Sequence, residues 1–210
     1  MVPYLQIIDH PLIQHKLSFL RDRSRTVVEF RALVRELSLL LAYEATCDLP
    51  LMEKIVTLPD GSSCVTHKLE NDALCLIPIL RAGSALLEGM LDFVPTASVG
   101  HIVVQRHHET LAAEEFYFKA PSDLGKRLCI VLDPMLATGH SAVAAIRRLK
   151  QAGAGAIIFT CLVAAPEGVK HLHEMHPDVK IISCALDEKL DADGYIVPGL
   201  GDAGDRFYGT

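Results

Sequence analysis

The chain has 210 residues, half of them hydrophobic, and carries 20 Lys and Arg against 26 Asp and Glu for a formal net charge of −6. That length fits one domain, residues 1–210, with a substantial core. The acidic balance and the lack of any Lys/Arg run argue against a general nucleic-acid surface, and no apolar run is long enough to span a bilayer.

The opening MVPYLQIIDH lacks the charged, apolar, small-residue plan of a secretory signal, so a cytoplasmic protein without membrane partners is the plain expectation. Residues 12–22 and 26–46 read as helices, the second with Phe30, Leu33, Val34, Leu37, Leu40 and Leu41 at helical spacing. Residues 51–58 and 63–69 read as a hairpin around Pro59-Asp60-Gly61. Apolar runs at 74–80, 99–105, 128–132, 156–163 and 179–185 then alternate with helical stretches near 84–92, 141–152 and 167–175. This alternation predicts an α/β fold, a parallel sheet covered by helices on both faces. Residues 106–120 suggest a projecting hairpin or mobile arm, and the Gly-rich tail 195–210 an ordered loop with no helix. Cys75, Cys129, Cys161 and Cys184 fall in strand-like runs, while Cys47 and Cys64 do not. Free thiols in a reducing compartment are expected, with no disulfide or zinc ribbon.

Ligands of such sheets gather at the carboxyl ends of the strands. Arg81, Arg106 and Asp133 each follow a predicted strand. Residues 131–142, VLDPMLATGHSA, combine a strand end, a carboxylate, a turn of small residues and a helix start. Free N–H groups and the positive end of a helix dipole attract phosphate. Gly139 admits backbone close to a ligand, Thr138 and Ser141 offer hydroxyls, and Asp133 can accept hydrogen bonds from ribose hydroxyls. Alone, the segment also fits an ordinary strand-to-helix connection.

With these segments in order, the chain resembles the uracil phosphoribosyltransferases across nearly its full length. The strongest blocks are LAYEAT at 41–46, PILRAG at 78–83, VLDPMLATG at 131–139, LVAAPEG at 162–168 and YIVPGLGDAGDRFYGT at 195–210. The resemblance implies a type I phosphoribosyltransferase fold with a small hood, and transfer of phosphoribosyl from 5-phosphoribosyl 1-diphosphate to uracil, giving UMP and diphosphate. It implies Mg²⁺, carried mainly by the diphosphate, a symmetric homo-oligomer, and for some members a GTP effector. Carried over by position, Asp133, Pro134, Met135, Leu136, Ala137, Thr138, Gly139, His140 and Ser141 hold the ribose and its 5-phosphate. Arg81 and Arg106 approach the diphosphate, and Arg81, Arg106 and Asp133 are the catalytic candidates. Ile196, Gly201, Asp202 and Ala203 contact uracil largely through backbone, and Asp202 also lies near the donor.

Displacing diphosphate from the anomeric carbon builds positive charge on the ribose and negative charge on the leaving group. Fixed positive charge aimed at that leaving group suits the task. A rigid loop of backbone donors and acceptors can read uracil and reject cytosine, whose amino group reverses one polarity.

The chain departs from the family pattern at His140, where glycine is usual, at Gln105, and at Ser84-Ala85-Leu86. Either His140 strains the phosphate loop, or it already lies in the first helical turn and adds a donor; the second is favoured. A regulator that binds nucleotide or RNA on the same fold, with weak or no catalysis, remains the alternative. Gly199–Gly204 spells a dinucleotide fingerprint with no βαβ unit after it. His171, His173 and His176 are expected on a solvated helix, and Asp191–Gly194 lacks the rest of a calcium loop.

Overall fold

The apolar runs become strands of one sheet because each can bury both of its faces. In the computed structural model, which describes residues 4–70, 73–106 and 113–210, the chain begins with β1 (Leu5–Ile7), α1 (Pro11–Arg21) and α2 (Val27–Ala45). The hairpin β2 (Leu51–Thr57) and β3 (Ser63–Leu69) follows, then β4 (Leu74–Leu80), α3 (Ser84–Phe93), β5 (Ser98–Val99), β6 (His101–Arg106) and β7 (Ala113–Lys119). Next come β8 (Leu128–Leu132), β9 (Met135–Leu136), α4 (His140–Gln151), β10 (Ala156–Ala164), α5 (Pro166–Met175) and β11 (Lys180–Leu186). A short hairpin, β12 (Lys189–Leu190) and β13 (Ile196–Val197), and α6 (Ala203–Tyr208) complete the order.

The main sheet runs β1-β11-β10-β8-β4-β6-β7, with β5 beside β4 and β9 beside β10. Its pairings are parallel except β6 with β7. Alternate residues of one strand feed opposite cores, as the two-residue period of a strand demands. Leu74, Leu76, Ile130, Leu132, Leu162 and Ile182 pack toward α1, α2 and α3. Cys75, Ile77, Cys129, Val131, Phe159 and Ile181 pack toward α4 and α5. Helix α2 is set by a capping box in which Thr26 and Glu29 satisfy each other's backbone N–H, a cap typically stabilising by about 1 kcal/mol.

Each sheet strand expected from the sequence forms within a residue or two, save that the 99–105 run divides into β5 and β6 at Gly100. His101–Arg106 and Ala113–Lys119 form the antiparallel pair β6–β7, while the tip of the anticipated arm, 107–112, lies outside the described residues. Besides the two-residue β9, which falls in the stretch read as a turn, three further features escape the sequence patterns. The first is β1, a three-residue edge strand beside β11. The second is the two-residue pair β12–β13. The third is α6, which corrects the expectation of a tail without helix. Asp202 caps it through the N–H of Asp205, Gly209 ends it in the left-handed region, and only Gly204 lies inside it. The tail's glycines bracket a helix rather than preventing one.

The triple-histidine reading also needs correction. His173 stacks on Tyr4 with ring centroids 3.3 Å apart, and His176 is buried with Nε2 donating to the Val143 carbonyl at 3.1 Å. Packing of β1 and α4 against α5 covers the face expected to be wet. Among the described residues no helix is long and apolar enough to cross a membrane, and no three His, Cys, Asp or Glu side chains cluster as metal ligands.

Burial pushes the thiols of Cys75 up to about 11 and of Cys129 and Cys161 up to about 12, and raises that of Cys184 as well. Cys47 is exposed and Cys64 half-buried. In the native protein a disulfide-exchange reagent should therefore titrate at most Cys47 and Cys64 promptly, the other four only after unfolding. Prompt reaction of the four strand thiols would mean that the sheet opens readily.

Candidate active site

Parallel pairing brings the carboxyl ends of β4, β8, β10 and β11 to one edge. The register sets Pro78 and Thr160 on either side of Leu132, and Cys161 beside Ser183. Arg81 and Asp133 therefore emerge from neighbouring strands, and Asp187 from the same edge beyond β10. Helices α3, α4 and α5 start at the same edge, and none of the three has a side-chain cap. The opening N–H groups of α4 lie at the cavity in front of β8, whereas the first N–H groups of α3 donate to the carbonyls of Arg81, Ala82 and Gly83.

The segment after β8 is a tight cradle. Gly139 has φ +80°, a left-handed conformation that disfavours any side chain, and α4 begins with His140. The strained position is thus Gly139, while His140 occupies the first helical turn, as favoured from the sequence. Asp133, Met135, Leu136, Ala137, Thr138, Gly139, His140, Ser141 and Ala142 line a cavity of about 90 Å³. Pro134 lies behind it, its carbonyl accepting from the N–H groups of Leu162 and Val163.

The cradle is fixed from below by α5. A Cβ on Gly168 would stand 2.2 Å from the Ala137 carbonyl oxygen and 2.8 Å from that of Leu136, so only glycine allows the loop to rest there. His171, one turn on, donates from Nδ1 to the Thr138 carbonyl at 2.9 Å and makes an edge contact with the His140 ring at 4.7 Å. The sequence reading passed over both residues as support for the loop. A glycine in the first turn of a helix was the available signal, since it weakens the helix unless packing requires it.

Asp133 is half-buried at the wall of the cavity, and desolvation pushes its carboxyl up to about 7 despite a hydrogen bond accepted from the Met135 N–H at 3.3 Å. Loss of water around a carboxyl favours its neutral form.

The tail closes on the same edge. A Cβ on Gly194 would lie 3.9 Å from Thr138 Cγ2, and one on Gly204 3.7 Å from Ala82 Cβ. The Tyr208 hydroxyl donates to the Arg81 carbonyl at 3.0 Å. The exposed Arg81 guanidinium lies 3.9 Å from Asp205 and 5.7 Å from the centre of the Tyr208 ring. Leu190 N–H donates to Glu167 Oε1 at 3.1 Å, tying β12 to the start of α5. Ile196 is buried in β13, and Gly201, Asp202 and Ala203 form the turn into α6. Asp202 spends one oxygen on its cap. A second cavity, of about 430 Å³, is lined by Arg21, Arg23, Pro198–Asp202, Asp205 and Arg206. Arg106 closes β6 at the same edge as β4, with which β6 is parallel, and its side chain lies outside the described residues.

The Asp133–Ser141 segment, Arg81 and the tail thus meet at one edge. The site can take a phosphate on backbone N–H groups, a polyol at Asp133 and a planar partner against the tail.

The uracil phosphoribosyltransferase family profile matches residues 7–210. A uracil phosphoribosyltransferase of Brucella anthropi is 54% identical over 207 residues, 97% of this chain and 98% of that one. One of Sinorhizobium fredii is 55% identical, covering 97% of both chains. The structure of AQ2163 protein from Aquifex aeolicus superposes with a TM-score of 0.91 at 38% identity, covering 97% of both chains. An adenine phosphoribosyl transferase from Trypanosoma brucei, at 10% identity and TM-score 0.62, covers 89% of this chain and 85% of its own and shares the fold alone.

Because the folded value of Asp133 is raised, its neutral form stabilises the fold fully below pH 3.8, and that contribution is lost as pH rises through about 7. The melting temperature of the unliganded wild type should therefore fall relative to Asp133→Asn between pH 4 and pH 8. A constant difference between the two would return Asp133 to the ordinary carboxylate range.

Proposed function

The chain belongs to the uracil phosphoribosyltransferase family, and from that premise we propose how its residues divide the reaction. The activity is transfer of the 5-phosphoribosyl group from 5-phospho-α-D-ribose 1-diphosphate to uracil, giving UMP and diphosphate. Residues 1–210 act as one domain, in the cytoplasm. The observation that supports the division of roles is that the Asp133–Ser141 cradle, Arg81 and the tail share one sheet edge, where Tyr208 donates to the Arg81 carbonyl at 3.0 Å.

In this reading the N–H groups of Gly139 to Ala142 bind the 5-phosphate, assisted by the Thr138 and Ser141 hydroxyls. Asp133 accepts from the ribose hydroxyls as a carboxylate, so donor binding drives its proton off. Arg81 and Arg106 face the diphosphate, where positive charge lowers the barrier as the glycosidic bond to the leaving oxygen breaks. Ile196 and Gly201–Ala203 hold uracil so that one ring nitrogen meets the anomeric carbon in line. Their backbone donors and acceptors match uracil and leave a buried group unpaired against cytosine.

The hard oxygen of Asp133 suits Mg²⁺, which would arrive mainly with the diphosphate. When bound, Mg²⁺ supplies neutralising charge to the leaving group. The regulator reading is not favoured: close relatives are named as the enzyme, and His140 imposes no left-handed strain on the loop.

We also assign the chain to a symmetric homo-oligomer, and β2–β3 supports this. Ile55 lies opposite Val65 and Leu51 opposite Leu69 on one face of the hairpin, with Glu53 opposite His67 between the two pairs. Ile55, Leu51 and Val65 are 71, 60 and 58% exposed. Exposed apolar pairs around a charged one are costly in water and suit a self-complementary interface.

UMP should form from uracil, 5-phosphoribosyl 1-diphosphate and Mg²⁺, with cytosine a far poorer acceptor in the same assay. Arg106→Ala should lower kcat about 100-fold with the fold intact, and His140→Gly should leave substantial turnover. Comparable use of cytosine would end the backbone-reading assignment, and near-normal turnover of the arginine variant would remove Arg106 from the reaction. In sedimentation equilibrium the wild type should exceed the monomer mass, and Ile55→Glu should shift it toward monomer; a monomeric wild type would refute the assembly.

A further inference from the structure

We propose that Arg21 and Asp187 are positioning residues for the uracil-reading loop, acting by clamping both backbone groups of Gly199. The inference rests on the assignment of Ile196 and Gly201–Ala203 to uracil made above.

Asp187 follows β11, and its own N–H donates to the Ala164 carbonyl at 2.8 Å, so its carboxylate is anchored to the sheet. Arg21, the last residue of α1, grips that carboxylate with two parallel bonds, Nη1 to Oδ2 at 2.8 Å and Nη2 to Oδ1 at 2.7 Å. The two-pronged geometry fixes direction as well as distance. From this pair come two further contacts to one residue. Arg21 Nη1 donates to the Gly199 carbonyl at 2.7 Å, and the Gly199 N–H donates to Asp187 Oδ2 at 2.9 Å. The Asp187 side chain is only 5% exposed, so these bonds are made with little competition from water.

Arg206 extends the clamp by one residue. Its Nη1 donates to the Leu200 carbonyl at 2.8 Å and to that of Leu20 at 2.7 Å, and Nη2 donates to the Asp22 carbonyl at 2.8 Å. Its guanidinium lies over the Phe30 ring at 4.3 Å. Gly199 N–H, Gly199 C=O and Leu200 C=O are thereby tied to α1, β11 and α6.

The loop cannot supply this rigidity itself. Between the Ile196–Val197 strand and Asp202 it is Pro-Gly-Leu-Gly, with both glycines in left-handed conformations. A base read through backbone groups is discriminated only if those groups are held to within about 0.5 Å of their working places. Arg21 and Asp187 meet that requirement through Gly199, two residues before Gly201 and three after Ile196.

The test compares three variants of the full-length protein by steady-state kinetics with each substrate varied in turn, and by calorimetric binding of 5-phosphoribosyl 1-diphosphate. Arg21→Gln should raise KM for uracil about tenfold or more and lower the ratio of uracil to cytosine turnover, with donor affinity within about twofold of wild type. Arg21→Lys keeps a charge beside Asp187 but loses the second prong, and should show a smaller shift of the same kind; it keeps the test open if Arg21→Gln fails to fold. Gly201→Ala perturbs the loop directly, since its φ of +72° resists a side chain while the nearest obstacle to a Cβ is 3.9 Å away. A raised uracil KM in Gly201→Ala with none in the Arg21 variants would overturn the clamp and leave the loop assignment standing. No effect in any variant would overturn both. Equal loss for donor and uracil in the Arg21 variants would also overturn the clamp, reducing it to general stability.

Discussion

Parallel strand pairing constrains everything else in this molecule. Strands that run the same way must be joined by crossovers, so their carboxyl ends share an edge and the helices that follow begin there. With β4, β8, β10 and β11 paired in this manner, Arg81, Asp133 and Asp187 reach one edge although more than a hundred residues separate the first from the last. The cost of burying such strands on both faces is met by continuous apolar sequence, and the two cores fix the sheet so firmly that the edge can carry uncapped helix ends, a desolvated carboxyl and positive-φ turns.

That edge is chemically divided. The start of α4 and the cradle beneath it offer N–H groups and suit an anion. The Asp133 carboxyl is raised by desolvation to about 7. The tail offers backbone of both polarities, with the nearby side chains engaged elsewhere: Asp202 caps α6, while Arg206 and Asp187 hold main chain in place. The charged side chains around the tail cavity, Arg21, Asp202 and Arg206 among them, are spent on main chain or on one another, so the edge presents mostly backbone groups there.

Much of this was legible in the sequence because it depends on local pattern. Apolar runs marked β4, β8, β10 and β11 within a residue or two, and the carboxylate followed by small residues marked the cradle. What stayed hidden depends on tertiary contact. Strand β1 is three residues long and gains its identity from β11. Helix α6 is six residues with a glycine inside, below the reach of periodicity, and is held by a cap and by Arg206. His173 and His176 look solvent-facing by composition, yet β1 and α4 cover them. The Arg21–Asp187 bond joins residues 166 positions apart, and no local spacing announces it.

The support of the cradle by Gly168 bears on how this pocket can diversify. At that position the obstacles to a side chain are the carbonyls of Ala137 and Leu136, which cannot swing aside as a flexible side chain would. Gly139 is closed as well, by its own backbone angle. His140 is the neighbouring position that is both helical and solvent-facing. A larger side chain can therefore be carried at His140 without moving the loop, and the imidazole that stands there leaves the cradle's backbone geometry intact.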